Sequence, residues 1–192
     1  PGVALLGLGT LLAPGSALAA RLGAWLAATM TLFVLWRFFW DCGLRDGPSA
    51  PGPLTMALLL TCATLPGFAA GVLSTPDTAL ALAWALALHQ GLLALRGQRW
   101  RWLTAGAAVG LGLLGKYGML VIGPIFLGAI LISDPRALRT RWPYLGGLIA
   151  LLVFSPNLLW NAHNDWLSLR FQFGHGFSTD TGALSLASDA LL

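Results

Sequence analysis

The sequence predicts an all-α, polytopic transmembrane helix bundle, on three observations. Hydrophobic residues make up 57% of the 192 residues and charged residues only 9%, where an ordinary soluble domain carries about 25% charged residues. The mean hydropathy is +0.76, and apolar runs of spanning length recur between Pro, Gly and Arg punctuation. The eleven lysines and arginines fall mostly in the short linkers between those runs, which is how membrane topology is encoded. That distribution gives the net charge of +4 a topological meaning and argues against nucleic-acid binding.

A spanning helix needs about 20 mainly apolar residues. In chain order, residues 3–13 are too short to span and read as an interfacial helix, while 17–40, 54–73 and 79–95 read as spans. Residues 102–132 are too long for one ordinary span and are interrupted by Gly115-Lys116-Tyr117-Gly118. As a single helix, this stretch would put Arg96, Arg99 and Arg101 on the opposite side from Arg136, Arg139 and Arg141, against the positive-inside tendency. Two short helices turning at Lys116 bring both clusters to the cytoplasmic side, together with Arg37 and Arg45, and leave Arg21, Lys116 and Arg170 outside. Residues 144–160 supply the last of about six spans.

The ends read as internal. Residue 1 is Pro, no cleavable signal is evident, and residues 183–192 resemble the first turns of a further helix. The expectation is a single partial transmembrane domain covering 1–192. Trp36, Trp40, Trp100, Trp102 and Trp142 are expected at the cytoplasmic interface, with Trp160 and Trp166 at the outer one. The pairs Gly67/Gly71 and Gly106/Gly110 have the spacing that lets helices approach closely. Cys42 and Cys62 suggest neither a disulfide framework nor a metal site.

With the arginine clusters inside, Ser74-Thr75-Pro76-Asp77, Gly115 to Gly118 and residues 160–166 all emerge on the extracytoplasmic face. Asp77 suits the first turn of a helix that Ser74 or Thr75 caps, and a carboxylate at a membrane boundary also suits binding or activating a polar substrate. Lys116, the only lysine, is either an interfacial cation or a point charge for a phosphate. Arg170 offers a bidentate phosphate contact or an interfacial anchor. His163, Asp165 and His175 match no standard metal spacing, so no cofactor is required and a divalent metal, though conceivable, is unsupported. His89, inside an apolar run, reads as a packed or interfacial histidine. Residues 171–177 read as an aromatic loop anchor, and no Walker loop, dinucleotide fingerprint or nucleophile elbow is present.

At these residues the sequence resembles the bacterial polyprenyl-phosphate-dependent glycosyltransferases of the GT-C class, in the branch of the protein O-mannosyltransferases and the lipid A aminoarabinose transferase. The resemblance runs from about residue 20 to 177. It is carried by Ser74-Thr75-Pro76-Asp77, Gly106 to Tyr117 ending in Lys-Tyr, Phe154-Ser155-Pro156-Asn157, Trp160-Asn161, and Asp165 to Gln172.

The resemblance implies transfer of a sugar, with inversion, from a polyprenyl-phosphate donor to an extracytoplasmic protein, lipid or glycan acceptor at a bacterial inner membrane. It matches Asp77 to the family's second acidic site, with Lys116, Tyr117, Asn161, His163, Asp165 and Arg170 as candidate substrate-binding residues. Relatives carry their principal acidic motif in the first outer loop, so the 192-residue chain alone is expected to be inactive. A transporter or flippase of an anionic or lipid-linked substrate, and a noncatalytic scaffold, are the alternatives; the first would favour inverted repeats, which are not evident.

Overall fold

The computed structural model describes residues 17–47, 52–63 and 76–168, all helix or short connection, with no strand among them. Residues 3–13, Gly67, Gly71, Ser74, Thr75, Arg170, His175, 171–177 and the final segment lie outside the described residues. The helices are α1 (Ala17–Asp41), α2 (Pro53–Ala63), α3 (Pro76–Leu95), α4 (Arg101–Gly115), α5 (Ile122–Ser133) and α6 (Trp142–His163). Single 3₁₀ turns at Tyr117–Val121 and Pro135–Arg139 precede α5 and α6. Internal contacts divide the chain into two compact units, residues 1–154 and 155–192.

In the first unit the described passes run alternately in opposite directions, and side-chain contacts fix each reversal. At one end, His89 Nε2 near the end of α3 donates to the Asp41 carboxylate ending α1 at 2.8 Å, and Arg96 donates to the Asp41 carbonyl. The Asp46 carboxylate accepts from the Leu54 N–H at 2.9 Å and from the Thr55 N–H at 3.1 Å, so α2 starts at that same end. Pro53 opens α2, a position where its missing N–H costs nothing. Gln90 Oε1 on α3 accepts from Arg101 Nη1 at 2.8 Å and ties in the start of α4.

The break at Lys116 is present. Helix α4 ends at Gly115, Lys116 is extended (φ −158°, ψ 133°), and the chain re-enters a helix one residue later. The two short helices fold back on one another. Trp102 near the start of α4 meets Phe126 of α5 edge-to-face at 5.3 Å, and Ala94, Trp102, Ala105, Ile130 and Ala137 share one buried cluster. Both arginine clusters therefore stand at the same end of this hairpin, as the charge pattern required.

Gly106 and Gly110 form a close-packing seam. A Cβ on Gly106 would strike the Gly146 backbone of α6, and one on Gly110 would lie 2.7 Å from the Ala150 carbonyl oxygen. Gly146 in turn faces the Trp102 carbonyl, so α4 and α6 run in parallel with their backbones nearly touching. Two further glycines serve the same purpose: Gly112 admits the fully buried Met119, and Gly91 admits the Phe126 ring.

Three described helices are long and apolar enough to cross a membrane, within Leu22–Asp41, Asp77–Leu95 and Trp142–His163. Helices α4 and α5 are shorter, with 15 and 12 residues, and the described part of α2 has 11. One tryptophan departs from the expected belt. Trp102 is 4% exposed and packs in the core, because the α4–α5 hairpin closes over it. The other four tryptophans of that end each carry a guanidinium over the ring, in the pairs Arg37–Trp36, Arg45–Trp40, Arg101–Trp100 and Arg141–Trp142.

Candidate functional site

The end of the first unit opposite the arginines brings together two of the expected site residues. Pro76 and Asp77 open α3, where a carboxylate complements the helix dipole. Lys116 stands where α4 stops, its backbone N–H still bonded to the Gly112 carbonyl at 2.9 Å. The antiparallel packing of α3 on α4 brings these positions together across 39 residues of sequence, and Lys116 Nζ donates to Asp77 Oδ1 at 2.7 Å. Both side chains are more than half exposed, at 53% and 60%. Thr78, next to Asp77, is buried.

Tyr117 is positioned by packing. Its ring meets Phe154 edge-to-face at 6.0 Å, on the same side of α4 as the glycine seam with α6. Met119, one turn on, is fully buried beside Gly112 and holds the 3₁₀ turn in place. The extended Lys116 is thus held by the half-buried Tyr117 and the buried Met119, with its own side chain outside.

In the second unit, Asn161 and His163 ride the last turn of α6. The sequence ends the last span at residue 160; the helix instead runs on to His163. Asn161 is 1% exposed, and its side-chain amide works for the fold. Nδ2 donates to the Asn157 carbonyl and side-chain oxygens, each at 3.0 Å, and Oδ1 accepts from the Ser168 N–H at 3.2 Å.

The Asn161 carbonyl also accepts from the N–H groups of Asn164 and Trp166 at 3.1 and 2.9 Å. His163 Nδ1 donates to the Leu159 carbonyl at 2.7 Å, a bond that does not involve Nε2. Asp165 and Trp166 both have positive φ, 50° and 57°, a left-handed conformation that costs non-glycine residues energy. This strained turn holds the Asp165 side chain in the open. Sequence reading gave no sign of the left-handed pair, since neither residue is Gly or Asn.

Among the described residues no group of three His, Cys, Asp or Glu is placed to hold a metal ion. What the first unit offers chemically is a carboxylate and an ammonium in contact, both open to a polar ligand. A carboxylate can accept a proton from an attacking hydroxyl, and an ammonium can neutralise a phosphate.

No curated protein and no solved structure matches the chain. Residues 2–160 match the family described as dolichyl-phosphate-mannose-protein mannosyltransferase. That match covers Asp77, Lys116, Tyr117 and the hairpin that assembles them, and it stops one residue before Asn161. Taken with the all-helical, membrane-length architecture, it shows that the chain belongs to the dolichyl-phosphate-mannose-protein mannosyltransferase family of membrane glycosyltransferases.

Proposed function

We propose that the full protein moves a sugar from a polyprenyl-phosphate donor to an acceptor outside the cytoplasm, with inversion, in a bacterial inner membrane. The observation that carries this reading is the Asp77–Lys116 pair. In a single displacement, an acceptor oxygen bonds to the anomeric carbon as the bond from that carbon to the lipid phosphate breaks. The acceptor proton passes to a carboxylate, and the phosphate leaves with the bonding electrons. Asp77 assists the acceptor, and Lys116 stabilises the charge developing on the phosphate. In the resting arrangement each holds the other, and an arriving lipid phosphate competes with Asp77 for the ammonium.

Tyr117, packed beside Lys116, frames that phosphate site. In this reading His163, Asp165 and Arg170 contact donor or acceptor, and Asn161 supports them by shaping the turn. Membrane glycosyl transfer from a labelled polyprenyl-phosphate sugar tests the proposal in the full-length protein. Asp77→Asn and Lys116→Gln are each expected to lower turnover about 10²–10³-fold at unchanged expression. Unchanged turnover for Asp77→Asn reduces that residue to the opening of a helix, and lipid movement without glycosidic bond formation replaces the transferase with a transporter.

A further inference from the structure

Helices α4, α5 and α6 line an apolar cavity of about 280 Å³ that runs from Leu138 and Pro143 at the arginine end to Gly123 in the first turn of α5. Its walls include Trp102, Phe126 and Tyr144, and Gly123 and Gly147 leave open space on facing sides. Tyr144 and Gly147 are exposed, so the cavity opens on the outer surface of the bundle. Leu138, between Arg136 and Arg139, and Pro143, just after Arg141, are also wall residues, which puts three exposed arginines beside one end of the groove. Among the described residues no carboxylate pairs with Arg99, Arg136, Arg139 or Arg141. The Trp102 indole N–H is the one buried side-chain polar atom among the described residues with no hydrogen-bond partner.

We propose that this groove is a binding site for an anionic phospholipid of the surrounding bilayer. One acyl chain fills the cavity and the phosphate headgroup lies against Arg136, Arg139 and Arg141. The charge pattern selects this occupant. A bare hydrocarbon tail would leave the unpaired arginines unused, whereas a basic cluster at the mouth of an interhelical pocket fits an anionic headgroup. The wall tryptophan adds an unmet donor, for which an ester carbonyl is the matching kind of acceptor. The site is independent of the transferase reading, since it shares no residue with the Asp77–Lys116 pair.

The test is native mass spectrometry of the protein released from nanodiscs containing phosphatidylcholine and phosphatidylglycerol. The wild type is expected to retain phosphatidylglycerol in preference. Arg139→Gln and Arg141→Gln are each expected to weaken that preference about fivefold, and Arg139→Lys and Arg141→Lys to keep it. Gly147→Leu, and separately Gly123→Leu on the facing wall, are expected to fill the cavity and expel the lipid whatever its headgroup, with helical circular dichroism unchanged. Equal retention of both lipids by the wild type overturns the proposal. So does phosphatidylglycerol that stays bound in both leucine variants, or displacement of it by added polyprenyl phosphate at equal concentration, which would give the groove to the donor lipid.

Discussion

Asp77 and Lys116 are half-solvated, and an ion pair so exposed contributes about 0–1 kcal/mol to stability. A large loss of turnover in Asp77→Asn, with melting unchanged, therefore separates a chemical role from a structural one. Asp46 behaves differently. The Thr55 hydroxyl, followed by the N–H groups of Thr55 and Leu54, holds its carboxyl below the usual carboxylate range. A depressed folded pKa gives stability that is present above the unfolded value of about 3.9 and lost as pH falls through the folded one. Amide protection at the start of α2, relative to the unfolded chain at the same pH, is expected to fall below about pH 4, and Asp46→Ala to remove that dependence. Asp77 and Lys116 were legible as unusual from their isolation in apolar sequence, but their contact was not, because it depends on how two helices pack across 39 residues. Asn161 was legible as unusual and not as buried, since sequence alone does not say which way a helical amide faces.

At the scale of elements, the interruption at residues 115–118 was readable from length and charge, and the structure places it at Lys116. Helix ends were less legible: α6 starts at Trp142 and reaches His163, beyond the apolar run of 144–160, because polar side chains bonding back to the helix extend it. The glycine seam distinguishes close packing from chance spacing. Gly106→Ala is expected to force α4 from α6 and cost about 1–3 kcal/mol in a detergent melting assay. Gly147→Ala, one residue from the seam, meets open space and is expected to be neutral or slightly stabilising through helix propensity. Equal effects of the two substitutions would remove the seam as a determinant of the fold.

For the whole molecule, the alternating passes and the shared end of the arginine clusters give a sidedness to test. An impermeant thiol reagent applied to intact cells is expected to label Gly118→Cys beside Lys116 and to spare Gln98→Cys at the arginine end until the cells are opened. Cys42 and Cys62, both exposed, are first replaced by serine so that only the introduced thiols react. Labelling of both positions from outside would invalidate the positive-inside assignment. The fold class was legible because composition and run length are coarse properties. The two short helices on either side of Lys116 were legible too, since residues 102–132 are too long for one span and are interrupted there.

The shortness of α4 has a consequence for depth. Fifteen helical residues rise only about 22 Å, against a hydrocarbon core of roughly 30 Å. With tryptophan–arginine stacks moored at the opposite end, the α4 pass that carries Lys116 is shorter than the hydrocarbon core, a mismatch that bilayer thinning relieves. Reconstitution in a series of phosphatidylcholines of increasing chain length is expected to give highest turnover in the thinner membranes. Membrane thickness then becomes a variable that governs how far the Asp77–Lys116 pair lies from the membrane surface.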